Sequence, residues 1–172
     1  KNIEIAKNYL GPDDIVLDYG CATGLYSVEF AKVAKEVDGI DISKKMIELA
    51  QANALSNTKF SKTTIFDIDK PGYYNAILAF NVLHFIKEEE RVMSKISELL
   101  KPGGIFISVT PCLGENKSAL GLLAIIFSKI KILPFLKSYR FEELDSLVSS
   151  NFEIFETIDL SKHQYMIVAR KI

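Results

Sequence analysis

The sequence predicts a doubly wound α/β domain, a mostly parallel sheet of seven strands with an antiparallel strand at its C-terminal end. Three observations carry this. Short apolar stretches alternate with amphipathic helical stretches through short links over most of the chain. YNAILAF, residues 74–80, is a continuous apolar run of the kind found where a strand is buried on both faces. FEIFETIDL and HQYMIVAR are successive strand-like runs with only Ser161 and Lys162 between them. So tight a link joins antiparallel strands and not parallel ones.

The elements follow in order. KNIEIAKNYL reads as a short helix closed by Gly11-Pro12. Ile15 to Tyr19 is a brief strand ending at Gly20. From Leu25 to Lys35, Val28, Ala31 and Ala34 recur at helical spacing, with Phe30 and Val33 widening the apolar face. Glu36 to Asp41 is a second strand. A helix starts at Ser43, with Met46, Ile47, Ala50 and Ala54 on its inner face, and a third strand covers Thr58 to Thr63. Pro71-Gly72 turns the chain into the fourth strand. Lys87 to Leu100 is an amphipathic helix: Val92, Met93, Ile96, Leu99 and Leu100 face inward, and Glu88, Glu89 and Glu90 complement the dipole at its N-terminus. KPGG stops this helix, and IFISVT is the fifth strand.

Bulk composition narrows the function. At 172 residues, 48% hydrophobic and 25% charged, the chain fits one domain spanning residues 1–172 with a substantial core. A net charge of -1 gives no broad nucleic-acid footprint, so no nucleic-acid partner is expected. Two cysteines, Cys21 and Cys112, make no disulfide framework, and no signal peptide is visible; a reducing, cytoplasmic location is the expectation. The first residue is not Met, which suggests a trimmed chain lacking an N-terminal element. The most apolar run, Ser118 to Ser128, has 11 residues, against roughly 20 for a bilayer span.

The chemistry concentrates at VLDYGCATGLYS, residues 16–27. Gly20 and Gly24 bracket the first strand-to-helix turn, at the carboxyl end of a strand, where open α/β sheets bind ligands. Glycine there permits a positive φ and a close ligand approach. Asp41 ends the second strand, where an acid can accept both hydroxyls of a ribose. Either glycine could also be purely structural, but with Asp41 and the strand context the turn points to a nucleoside-type cofactor. The turn reads Gly-Cys-Ala-Thr-Gly, without the middle glycine of G-x-G-x-x-G, and no G-x-x-x-x-G-K-[ST] loop occurs. Both facts argue against NAD and ATP.

These segments together resemble the class I S-adenosylmethionine-dependent methyltransferases, in the group acting on small molecules and quinone-like substrates. VLDYGCATG is similar to that family's first motif, and GIDISKKMIELAQAN to its second strand and following helix. YNAILAFNVLHFI resembles the fourth-strand motif, and LLKPGGIFIS the turn and fifth strand. The resemblance implies a Rossmann-like methyltransferase fold with an antiparallel seventh strand, and S-adenosyl-L-methionine as cofactor. It would place Asp18, Gly20, Gly24 and the backbone of Cys21 around the methionine part, and Asp41 on the ribose. Ile42 and Met46 would lie against the adenine. Thr64 would stand where the family often has an adenine-facing acid, with Ile65 flanking the ring. Asn81 and Leu83 would lie near the methionyl end. Two departures are visible. Ala22 replaces the second glycine, a small-for-small change expected to cost little. Thr64 replaces an acid, with Asp67 three residues on as a poorly placed substitute.

Methyl transfer needs an acceptor in line with the methyl group, and a base only where the acceptor loses a proton during attack. His84, in the loop after the fourth strand, is the candidate catalytic base; its alternative is a packed imidazole bonded to backbone. His163 reads as a surface turn residue, Tyr26 as a cover for the site or a packed aromatic, and Cys21 as a small packed residue. Two histidines and two cysteines at 21, 84, 112 and 163 have no metal-ligand spacing, so no metal is expected.

The resemblance makes residues 111–138 a helical, substrate-covering insertion. Its apolar run GLLAIIFSKIKILPFL is followed by basic residues, and residues 111–141 carry five basic side chains against Glu115 alone, a net +4. Such a segment can cover a lipophilic small-molecule acceptor, make weak membrane-surface contact through residues 118–140, or pack as an ordinary helix or homodimer contact. The expected activity is methyl transfer to a small, lipophilic acceptor. The alternatives are a non-catalytic S-adenosylmethionine-binding protein of the same fold and an RNA or protein methyltransferase, which would require a basic groove.

Overall fold

The computed structural model describes residues 1–112, 114, 135–161 and 163–172. Seven strands form one sheet: β1 (Ile15–Tyr19), β2 (Glu36–Asp41), β3 (Thr58–Lys62), β4 (Tyr74–Phe80), β5 (Leu100–Pro111), β6 (Phe152–Ser161) and β7 (Gln164–Lys171). Their order is β3-β2-β1-β4-β5-β7-β6. β1 through β5 pair in parallel, and β7 runs antiparallel to both β5 and β6. This is the expected doubly wound sheet, and the two-residue link between the last strands makes the expected antiparallel turn.

Helices cover both faces, and the alternation along β4 shows how. Ala76, Leu78 and Phe80 belong to one apolar cluster, with α2 (Leu25–Phe30) and Ala6 of α1 (Asn2–Lys7). Ile77 and Ala79 belong to the other, against α4 (Glu89–Leu99) and α5 (Phe141–Ser149). Burial on both faces is why this strand carries an unbroken apolar run. All five inward residues expected of the helix before β5 are buried.

Several boundaries differ from expectation for local reasons. α2 ends at Phe30, not Lys35. The Asn57 side-chain amide donates to the carbonyls of Ala31 (2.8 Å) and Ala34 (3.2 Å), so a side chain satisfies carbonyls that a longer helix would have bonded internally. Ala31 and Ala34 are buried as expected. α3 (Lys44–Ala52) is capped by the Ser43 side chain and stops before Ala54, which is exposed. β5 begins at Leu100 and so takes in KPGG; Tyr74 pairs with Leu100 and Ala76 with Ile105, and the ladder slips between them. α5 was not anticipated, although Leu144, Leu147 and Val148 stand at helical spacing and are buried.

Residues 115–134 lie outside the described residues, and with them most of the expected insertion at 111–138 and of the basic, apolar stretch at 118–140. Among the described residues no helix is long and apolar enough to cross a membrane.

Candidate functional site

The strands β1, β2 and β4 end side by side, and the glycine turn closes over them. Gly20 and Cys21 both donate their N–H groups to the carbonyl of Ile40, at 2.9 and 3.0 Å, which ties the turn to the end of β2. Gly20 has φ 75°, and a Cβ there would fall 2.5 Å from Val82 Cγ2. Gly24 caps α2 with φ 74°; a Cβ there would meet Phe60 at 2.7 Å and Ala50 at 2.9 Å. The first glycine therefore lets the segment after β4 close on the turn. The second lets α2 seat against α3 and β3.

Ala22 also adopts a left-handed conformation, φ 47°. The expectation that alanine costs little here is corrected by this geometry, because a Cβ in that region carries backbone strain. Ala22→Gly is expected to raise stability by about 1 kcal/mol, the relief of strain less the entropy of a freer unfolded chain. Thermal unfolding checks it: Tm should rise by about 2–4 °C, and an unchanged Tm would mean the turn carries no such strain.

A cavity of about 370 Å³ opens at this edge, lined by Gly20, Asp41, Ile42, Thr64 and Ile65 among the residues singled out in the sequence. Asp41 is its acid. One carboxylate oxygen accepts from the Ser43 N–H (2.8 Å) and the other from the Ala22 N–H (3.1 Å). Two main-chain donors thus fix its orientation, while each oxygen keeps a further lone pair. Ile42 and Phe66, 73% and 40% exposed, stand at the cavity as uncovered apolar side chains. Thr64 does not imitate the missing acid: its hydroxyl donates to Asp67 at 2.6 Å, capping the 3-10 turn Ile65–Asp67. That contact holds the Asp67 carboxyl below its usual range and commits Asp67 to Thr64, away from this cavity.

The other expected residues sit around the cavity without lining it. Asp18 is 2% exposed beneath the turn and accepts a hydrogen bond from the Ser27 hydroxyl. Burial pushes its carboxyl up to about 6; the Asp41 charge adds to the rise and Ser27 opposes it. Cys21 is buried, and burial drives its thiol upward, so it stays a protonated packing residue. Met46 is half-buried in the first turn of α3. Leu83 is in the core. Asn81, φ 55°, donates its N–H to Val109 O at 2.7 Å, and its side-chain oxygen accepts from Gln164 Nε2 at 3.0 Å. That bond turns its side chain toward β7. His163 is an exposed turn residue as expected.

His84 lies in a 3-10 turn (Leu83–Phe85), 6% exposed, against Phe85. Burial lowers its imidazole to about 4, which keeps it neutral near pH 7 and makes it a feeble base. Among the described residues its Nδ1 has no hydrogen-bond partner, and neither do the buried hydroxyls of Ser108, Thr110 and Ser138. Each such group costs about 1–3 kcal/mol until something bonds it.

Sequence reasoning missed Val82, Phe66 and Phe85 as cavity walls. Val82 and Phe85 lie inside the segment that resembles the fourth-strand motif, so position gave a signal; the closeness of Val82 to Gly20 did not show. Among the described residues no histidine, cysteine and carboxylate cluster could hold a metal ion.

With this geometry in hand, comparison with known proteins is informative. A family model described as a methyltransferase domain matches residues 10–164. The carboxy-S-adenosyl-L-methionine synthase of Nautilia profundicola is 32% identical over 136 residues, covering 75% of this chain and 58% of that protein. The ubiquinone biosynthesis O-methyltransferase of Chromobacterium violaceum is 32% identical over 117 residues, covering 64% and 49%. The chain thus spans about half the length of the curated relatives it matches. A solved SAM-dependent methyltransferase from Methanosarcina mazei superposes with a TM-score of 0.80 at 22% identity, covering 98% of this chain and 97% of that one. At that identity the likeness speaks for the fold.

Proposed function

Because the chain belongs to the methyltransferase-domain family, among the class I S-adenosylmethionine-dependent enzymes, we propose that it transfers a methyl group from S-adenosylmethionine to a small acceptor. The observation that carries this reading is Asp41, a carboxylate fixed at the end of β2 between apolar walls in a cavity of about 370 Å³. A carboxylate suits the paired hydroxyls of a ribose, and the exposed Ile42, with buried Ile65 in the cavity wall, suits the face of a flat base.

When bound, S-adenosylmethionine supplies a methyl carbon made electrophilic by its sulfonium. The rest is positioning by the chain. Asp41 would hold the ribose, Ile42 and Ile65 would flank the adenine, and the main chain at Gly20 and Cys21, with Asp18 beneath, would shape the methionyl end. The chain's part would be to hold an acceptor atom in line with that methyl carbon and to leave the acceptor's proton a path to solvent. His84, neutral and buried, orients an acceptor by accepting a hydrogen bond; its depressed basicity argues against stoichiometric proton removal.

The test is turnover with methyl-labelled S-adenosylmethionine and a panel of phenols, catechols and quinols. Labelled acceptor and S-adenosylhomocysteine in equal amounts are the expected result. Absence of both, on protein that binds S-adenosylmethionine, would contradict methyl transfer. The Nautilia relative's name motivates a second reading, in which S-adenosylmethionine is itself the molecule modified. A new sulfonium product without labelled acceptor would favour it.

A further inference from the structure

With a ribose at Asp41, the base attached to it meets the remaining walls of the cavity. Those walls come largely from the segments after β3 and β4: Ile65, Phe66, Phe85, Ile86 and Val92 line the cavity, and all are apolar. Tyr19 belongs with Asp41, whose charge, after burial, helps to push its hydroxyl up to about 12. The other polar lining residues are Thr63, Thr64, Lys87 and Glu88.

Each of these four is already engaged. The Thr64 hydroxyl donates to Asp67 at 2.6 Å and accepts from the Asp67 N–H in return, which closes the cap of the turn Ile65–Asp67. Asp67 itself lines a separate cavity of about 380 Å³, with Asp38 and Lys70. The Thr63 hydroxyl donates to the Thr64 carbonyl at 3.4 Å. Glu88 holds Arg91, whose guanidinium lies 4.9 Å from the centre of the Phe66 ring. Lys87 lies 5.7 Å from the centre of the Phe135 ring, and an ammonium accepts no hydrogen bond. The main chain follows suit: the carbonyls of Thr64, Ile65, Val82 and Glu88 accept from the N–H groups of Asp67, Ile68, Phe85 and Val92.

The acceptors along this stretch of wall are thus taken up by the protein's own donors. An amino group on the base is a donor, and it gains from the chain only where an acceptor is open to it. Apolar walls recognise the ring face alone. We infer that the cavity selects a purine nucleoside by its ribose and its flat face, and does not read the substituent at carbon 6 of the purine. This rests on the S-adenosylmethionine reading of the cavity. Thr64 is the position that sets this tolerance, because capping the turn Ile65–Asp67 takes its oxygen out of reach of the base.

The test is calorimetric titration of the full chain with S-adenosyl-L-homocysteine and with its counterpart in which hydrogen replaces the 6-amino group. The two affinities are expected to agree within about threefold, less than one hydrogen bond to a carboxylate contributes. The companion variant is Thr64→Asp. Aspartate caps a helical turn as well as threonine does, but its carboxylate cannot donate to Asp67 and is repelled by it, so it turns toward the cavity. That variant should prefer the amino form by about tenfold, the effect of a hydrogen bond to a charged acceptor. A wild-type preference for the amino form of about tenfold or more would overturn the proposal, and so would a folded Thr64→Asp chain that shows no preference. Should the variant fold poorly, the wild-type comparison still decides. A wild-type chain that binds neither thioether would instead remove the cofactor reading, and the proposal with it.

Discussion

Gly24→Ala is expected to lower Tm by about 6–12 °C, equivalent to about 3 kcal/mol in a chain of this size. Two costs add. A side chain at φ 74° carries backbone strain, on the order of 1 kcal/mol or more. A Cβ at that point would also sit 2.7 Å from Phe60 Cζ and 2.9 Å from Ala50 Cβ, so β3 or α3 must shift. Gly72→Ala separates the two. Gly72 has φ 62° but no atom within 4 Å of its added Cβ, so only strain applies and the expected loss is about 2–4 °C. Equal losses in the two variants would refute the packing role assigned to Gly24.

The second large effect is a pair of opposed pH dependences. Asp18 titrates at about 6 in the folded chain against an ordinary 3.8. Between those values the folded state holds a proton that the unfolded state lacks, so stability rises as pH falls from about 6 to 4. The full amplitude is about 3 kcal/mol. His84 titrates at about 4 against an ordinary 6.5. Over that window the unfolded state holds the extra proton, so stability falls with pH, by about 2 kcal/mol after allowance for partial solvent screening. The two offset each other in the wild type. Asp18→Asn should therefore be more stable than wild type by about 2–3 kcal/mol at pH 7 and lose that advantage toward pH 4.5. His84→Gln should instead gain stability, relative to wild type, on acidification. Denaturant melts at pH 7 and 4.5 read both, and parallel pH profiles for the three proteins would contradict the assignment.

The sheet was legible because its evidence is local: β1, β2 and β4 lie where apolar runs meet glycine or Asp41. The length of α2 was not, because Asn57, far along the chain, ends it from outside. Asp41 and the glycine turn could be read as a site because their spacing is fixed by one strand–helix–strand unit. Val82 against Gly20, and Lys137 at the carbonyl of His84, come from segments that only the folded chain brings together. Ala22 shows the converse limit: its residue type was plain, but its left-handed backbone was not.

The most direct measurement is calorimetric titration of S-adenosylmethionine into the wild-type chain and Asp41→Asn. The variant is near-isosteric but keeps an acceptor oxygen for only one of the main-chain donors at residues 22 and 43, so its fold is checked by its melting temperature. Micromolar binding to the wild type, weakened at least tenfold in the variant, is the expected result for hydrogen bonds to a charged group. A well-folded wild type that binds no S-adenosylmethionine, or a variant that binds it equally well, would contradict the assignment of this cavity.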